Sequence, residues 1–343
     1  MINIRNTLLK WIHKTTPSYN TVIRQAFTGF IFPVESLSYI FSFTVGQTFV
    51  TFLIPSISIF IDPTLARYLM MVYAQNIIVC NILKNSLRLP RPRDVYNNCT
   101  LIEFSYGFPS SHSACSLSTS FFILQYISFI FDFPISFVKT ILITSLWAGT
   151  VGFSRLFLQR HSIIDVIGGY IIGIINSIWF NYMWKGQHLN RFFNRPIFAI
   201  ELLFISWGLL MIHPDFFDKM HIKYYLSDNI LNRTVKESIC IAGCYVGSML
   251  AIWRENVLPW LSPSSFIYTN YLIDYIYLLC FIIASKLVTN IIVNTVIPLQ
   301  NSVQYNYNGN YMYIKLRWLI SYILFSWILL DPITNLFYKR GIY

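Results

Sequence analysis

The chain is divided into apolar runs of about twenty residues, and that one feature removes most of the folds open to 343 residues. A helix rises about 1.5 Å per residue, so about 20 apolar residues cross the hydrocarbon core of a bilayer. Such a segment finds no water for its backbone N–H and C=O groups and must satisfy them internally, as a helix. Runs lie near residues 39–61, 68–87, 111–131, 137–153, 161–184, 196–212, 237–253, 269–292 and 316–337. Pro33 and Glu35 interrupt the apolar stretch that starts at Phe27, so an interfacial or re-entrant piece is expected near 26–37. The expected fold class is all-α, a polytopic integral membrane protein with about nine transmembrane helices. Only 11% of the residues are charged, against about 25% in a soluble domain.

The net charge of +11 is spread thinly between the runs. That distribution argues against nucleic acid and for basic loops beside membrane spans, or an anionic substrate. Residues 1–25, with Arg5, Lys10, Lys14 and Arg24, read as a polar basic arm. They hold no apolar centre of the kind a cleavable signal needs, so the first span is expected to direct insertion. The six Cys residues form no metal-binding pattern and no disulfide framework. Cys80, Cys115, Cys240, Cys244 and Cys280 lie in or beside apolar runs, as small core residues do.

Three polar motifs interrupt this apolar background. The stretch Gly152 to Gly169, GFSRLFLQRHSIIDVIGG, places His161 and Asp165 four residues apart. On a helix they share a face, and a carboxylate there can fix the imidazole tautomer. Arg155 lies six residues before His161 and adds positive charge, which suits attack on an anionic centre such as phosphorus. Earlier come Lys84-x6-Arg91-Pro92, after the second run, and Pro109-Ser110-Ser111-His112, at the start of the third. Pro109 and Ser110 read as a helix start with Ser110 at the N-cap, and free N–H groups at such a start bind anions. Counting crossings puts all three motifs on one membrane face, although about 77 residues separate Lys84 from His161.

Taken together, Lys84-x6-Arg91-Pro92, Pro109-Ser110-x-His112 and Ser154-Arg155-x5-His161-x3-Asp165 resemble the three-part signature of the type 2 phosphatidic acid phosphatase superfamily. Every charged or His position of that pattern is present. Ser111 stands where many members have Gly, and with the surrounding PRP, YGFPSSH and SRLFLQRHSIIDVIGG it looks most like the sphingosine-1-phosphate phosphatase branch. The resemblance covers residues 84–170 and implies a helical bundle around a polar pocket. It implies His161 as nucleophile, His112 as acid and then base, and Asp165 as the group that orients His161. Lys84, Arg91, Ser110, Ser111 and Arg155 would hold the phosphoryl oxygens, with the Ser111 and His112 N–H groups completing the cradle. Residues 26–185 form the expected catalytic membrane core and 186–343 further helices and loops.

No metal and no other cofactor is expected, since three fixed cations carry the charge and the motif loops lack a carboxylate cluster. The expected partners are the bilayer and a lipid phosphate, first a sphingoid base phosphate. Phosphatidate or a polyprenyl diphosphate is the alternative in the same superfamily, with phosphotransfer to an alcohol also open. A non-enzymatic transporter or scaffold is the alternative outside it. Arg88, Arg93 and Arg160 match no motif position and read as interface charges. The sequons at Asn98 and Asn232 fall on the motif face by the crossing count, in keeping with a site facing the lumen of the endoplasmic reticulum. The basic arm, placed in the cytosol by the positive-inside rule, argues for the opposite orientation unless 26–61 crosses once more. The sequence sets no oligomeric state.

Overall fold

The computed structural model describes Thr7, residues 25–89, Arg91, 106–130, 135–195, 233–257 and 309–333, together with scattered positions within 197–208 and 276–291. Among the described residues all regular structure is helical. A short 3-10 turn, Thr28–Phe30, leads into α1 (Ile31–Thr44) and α2 (Gln47–Phe60). Then come α3 (Pro63–Leu87), α4 (Ser111–Ile130), α5 (Phe137–Phe157), α6 (Ile163–Lys185) and the single turn and a half α7 (His188–Phe193). The C-terminal part supplies α8 (Arg233–Val257) and α9 (Gly309–Ile328), which runs into a π-helical end at Leu329–Ile333.

Among the described residues five helices are long and apolar enough to cross a membrane: α3, α4, α5, α6 and the stretch Leu316–Ile333. The expected first span is instead two helices, α1 and α2, broken at Val45–Gly46 and bent by 54°, and counting the pair as one span gives six. Among the described residues the count of about nine is not confirmed. The run at 237–253 does form α8, but Arg233, Lys236 and Glu237 flank it on one side and Arg254 and Glu255 on the other. Its uncharged stretch, residues 238–253, is about 24 Å long as a helix, short of the roughly 30 Å hydrocarbon core. The runs at 196–212 and 269–292 lie largely outside the described residues, as do most of the basic arm 1–25 and both sequons.

The chain divides into two compact units, of which the first comprises residues 1–50, 75–181 and 232–234. In it, small polar groups face inward and large apolar ones outward. The buried residues of α4 include Ser111, Ser113, Ala114, Cys115, Ser116 and Ser118. On α5, by contrast, Ile141, Leu142 and Leu146 are exposed. A bilayer explains that polarity, because lipid takes the apolar faces and helices associate through close contact of small residues. Gly169 and Gly173 on α6 lie against Ser110, Ser113, Ala114 and Leu117, so α4 and α6 approach closely. Phe122 of α4 meets Phe180 of α6 edge to face at 5.2 Å. Hydrogen bonds tie the other helices in: Asn76 of α3 donates to Ser118 Oγ (2.5 Å), Gln125 to Thr140 Oγ1 (3.2 Å), and Tyr170 to the Ala148 carbonyl (2.7 Å).

The second unit comprises residues 51–74, 182–231 and 235–343. An apolar cluster of Ile59, Ile282, Phe325, Leu329 and Ile333 forms part of its core. Gly243 and Gly247 of α8 sit against Tyr322, Ile323 and Ser326 of α9. Two buried arginines are matched by carboxylates: Arg67 pairs with Glu255, and Arg254 pairs with Asp331 through two nitrogens. Trp327 Nε1 also donates to Asp331, at 3.1 Å.

Candidate active site

His161 sits between the end of one helix and the start of the next, and both boundaries are built by local hydrogen bonds. At the end of α5, Gln159 adopts a left-handed backbone with φ of 55°. Its N–H donates to the Leu156 carbonyl (2.9 Å) and the Arg160 N–H to the Arg155 carbonyl (3.0 Å). That pair of bonds is a Schellman motif, which closes the helix and reverses the chain. α6 then opens with a capping box. The Ser162 N–H donates to Asp165 Oδ2 at 2.8 Å, and the Asp165 N–H donates back to Ser162 Oγ at 3.3 Å. Asp165 therefore caps its own helix, and its carboxylate is fixed before it meets the imidazole.

The imidazole lies alongside. His161 Nδ1 is 3.5 Å from Asp165 Oδ2, and both side chains are 1% exposed. Among the described residues Nδ1 forms no hydrogen bond, and Asp165 Oδ1 is likewise buried without one. Burial drives the His161 pKa well below its ordinary value, and the charges of Arg91, Arg155, Lys84 and His112 push it further the same way. The ring is consequently neutral at pH 7 and holds a lone pair, the state a nucleophile requires.

The start of α4 is fixed to this segment. The Ser110 N–H donates to the carbonyl of Asp165 at 2.9 Å. Ser110 Oγ accepts from the Ser113 N–H (3.4 Å) and hydroxyl (3.0 Å), the N-cap arrangement expected from the sequence. The first-turn N–H groups of Ser111 and His112 have no intrahelical acceptor, as at any helix start. His112 is half-buried on that turn, close enough to His161 to act on its electrostatics.

Each of the three cations is held from a different element. Lys84, in the last turn of α3, donates from Nζ to Ser111 Oγ and Asn81 Oδ1, both at 3.3 Å. Arg91 donates from Nη1 to the Arg160 carbonyl at 3.0 Å. Arg155, in the last turn of α5, donates from Nη1 to Ser42 Oγ of α1. Its Nε is buried with no hydrogen-bond partner among the described residues. The structure thus brings Lys84, Arg91, Ser110, Ser111, His112, Arg155, His161 and Asp165 to one place within the first unit. Pro92, Arg93, His213, Asp215, Asp274 and Lys286 lie outside the described residues.

Four contributors escaped the sequence reading. Ser162 was detectable, because Ser-x-x-Asp ahead of an apolar run is a capping box. Arg160, read as an interface charge, acts through its backbone carbonyl, which no side-chain pattern reveals. Gln159 takes a backbone conformation normally given to Gly. Ser42 lies in an apolar helix with no motif around it. Among the described residues no group of three or more His, Cys, Asp or Glu side chains is placed to hold a metal ion.

Residues 64–189 match the family model described as PAP2 superfamily. The chain is 27% identical over 272 residues to a Dictyostelium discoideum protein described as a probable sphingosine-1-phosphate phosphatase, covering 75% of this chain and 62% of that one. It is 30% identical over 136 residues to mouse sphingosine-1-phosphate phosphatase 2, covering 38% of each chain. It is 26% identical over 157 residues to a dihydrosphingosine 1-phosphate phosphatase of Schizosaccharomyces pombe, covering 42% of this chain and 36% of that one. In each case the match spans less than two thirds of the relative's length. No solved structure matches the chain.

Proposed function

We infer, for a chain whose residues 64–189 match the PAP2 superfamily, a membrane phosphatase that removes the phosphate of a sphingoid base phosphate. The observation that carries the reading is the convergence of Lys84 and Arg91 from one stretch and Arg155 from another, distant in the chain, on the buried neutral His161. A phosphoryl group in transfer spreads negative charge over its equatorial oxygens, and fixed cations stabilise that charge. Lys84, Arg91 and Arg155 hold these oxygens, with Ser110 and the N–H groups of Ser111 and His112 at the helix start.

In the first step His161 Nε2 attacks phosphorus, a P–N bond forms and the ester P–O bond breaks. His112 gives its proton to the departing alkoxide of the long-chain base. In the second step His112 takes a proton from water, whose oxygen attacks phosphorus, and the P–N bond breaks to release phosphate and free His161. Asp165 stabilises the imidazolium form and holds the ring with Nδ1 toward itself. Both steps balance without a metal. A pocket at the membrane surface favours a phosphate whose acyl or sphingoid chain stays among the helices. Phosphatidate and polyprenyl diphosphates satisfy that same chemistry and are the competing substrates. The proposed location is the endoplasmic reticulum with the site on the lumenal face, supported by the two sequons that the crossing count puts beside it.

The test is phosphate release from dihydrosphingosine 1-phosphate, phosphatidate and a prenyl diphosphate, in detergent with chelator present, by wild type and His161→Ala. Preference for the sphingoid substrate and a dead variant are expected. Preference for phosphatidate would leave the mechanism and overturn the substrate, whereas full activity in His161→Ala would overturn the mechanism.

A further inference from the structure

The helix α1 lies wholly outside the segment 64–189 that matches the family model, yet it carries the hydroxyl that holds Arg155. Its polarity is inverted relative to a helix of a soluble protein. The buried residues of α1 are Ser38 and Ser42, one turn apart on one face. Phe32, Leu37, Tyr39, Ile40 and Phe43 are exposed, as side chains against lipid are. The serine face lies against α5, where Phe41 meets Trp147 edge to face at 6.1 Å and Phe27, just before α1, meets Phe153 at 5.8 Å and Phe157 at 6.2 Å. These rings fix α1 along the length of α5 that ends in Arg155.

Arg155 is the last-turn residue of α5, so its long side chain runs back over the preceding turn, where Ser42 meets it. One guanidinium nitrogen, Nη1, is committed to Ser42 Oγ, while Nε is buried without an acceptor among the described residues. A buried donor left unpaired is costly, and a phosphoryl oxygen is an acceptor that would satisfy it. A guanidinium tied at one corner loses much of its rotational freedom, which favours one orientation of the remaining edge.

We propose that Ser42 is a positioning residue, supplied by a helix outside the family-matching segment, that orients the Arg155 guanidinium for the phosphoryl group. The assignment rests on the phosphatase reading for the identity of the anion. Ser42 touches Arg155 and not the reacting atoms, so its effect falls on anion affinity and on kcat rather than on lipid binding. Ser38, one turn away on the same buried face, shares the packing of Ser42 and separates packing from orientation.

The experiment uses the full chain in detergent, as wild type, Ser42→Ala, Ser42→Thr, Ser38→Ala and Arg155→Ala. Orthovanadate affinity is read from its shift of the thermal unfolding midpoint, and kcat and KM from phosphate release. Ser42→Ala is expected to weaken orthovanadate by about tenfold and to lower kcat by a similar factor with KM little changed. Ser42→Thr, which keeps the hydroxyl, returns both to within about twofold, and Ser38→Ala leaves both unchanged. Wild-type orthovanadate affinity in Ser42→Ala overturns the proposal, as does an equal loss in Ser38→Ala or no recovery in Ser42→Thr. If wild type releases no phosphate but binds orthovanadate and Ser42→Ala weakens that binding, the phosphatase reading fails and the assignment of Ser42 stands. A wild type that binds no orthovanadate overturns both.

Discussion

Gly169→Ala tests whether the close approach of α4 and α6 sets the site. A methyl at Gly169 would lie 2.3 Å from the Ser110 carbonyl oxygen, 2.9 Å from Ser113 Cβ and 3.3 Å from the Ala114 nitrogen. Two of these contacts are shorter than the 3.0 Å that real Cβ atoms respect, and the nearest is to backbone. The helices therefore have to part by about 1 Å, a displacement of the kind that costs roughly 1–3 kcal/mol in a packed interior. The same displacement pulls on the 2.9 Å bond from the Ser110 N–H to the Asp165 carbonyl, which joins the two motif segments. Moving a binding cradle by that much relative to a nucleophile can lower turnover by about a hundredfold. Gly149→Ala on α5 is the control, because nothing lies within 4 Å of its added methyl. The assay is thermal unfolding and phosphate release of both variants in detergent. Gly169→Ala should lose stability and most of its activity, while Gly149→Ala keeps its activity and unfolds no earlier than wild type. If Gly169→Ala keeps wild-type activity and midpoint, helix contact does not set the site geometry.

Gln159→Gly should raise stability by about 1 kcal/mol, since the left-handed backbone at φ 55° disfavours a side chain. A raised unfolding midpoint with activity kept would agree, and a lowered one would refute the capping role. The depressed pKa of His161 makes stability depend on pH with a defined sign: the unfolded chain binds a proton below about pH 6.5 that the folded chain refuses. Unfolding free energy should fall by up to about 1.4 kcal/mol per pH unit below that value, until the folded pKa is reached. His161→Gln should flatten that dependence in thermal unfolding between pH 7 and 5, and an unchanged slope would refute the assignment.

The members of the candidate site were legible because they are residue types that are rare in apolar helices. Lys84, Arg91, His112, Arg155, His161 and Asp165 stand out against that background, and alternating crossings then place them on one face. Their arrangement was not legible, because it depends on backbone groups. Arg91 bonds a carbonyl, Ser110 donates its N–H to one, and Gln159 turns the chain without a glycine to mark the turn. The helix positions along 68–87, 111–131, 137–153 and 161–184 followed from hydropathy within a few residues. The break in the first span and the short uncharged stretch of α8 were not legible for a different reason. Hydropathy sums composition, and neither a break at Gly46 nor charges at the two ends of α8 alters that sum enough to be seen.

The chain uses buried arginine in two ways, and the difference lies in the partner. Arg254 in the second unit meets Asp331 through two nitrogens, a pair whose charges cancel. Arg155 in the first unit meets a serine hydroxyl, which satisfies one donor and leaves the charge uncompensated by that contact. Burying a guanidinium costs several kcal/mol even when it is well hydrogen-bonded, so a hydroxyl partner is a poor solution for stability alone. It is a good one for holding an anion, because a carboxylate partner would already occupy the donors and repel the ligand. Burial first, and then the same uncompensated field from Arg91, Arg155 and Lys84, keeps the His161 ring neutral. On the proposed mechanism one set of cations thus serves two ends: it attracts the phosphate and, added to burial, leaves His161 with its lone pair.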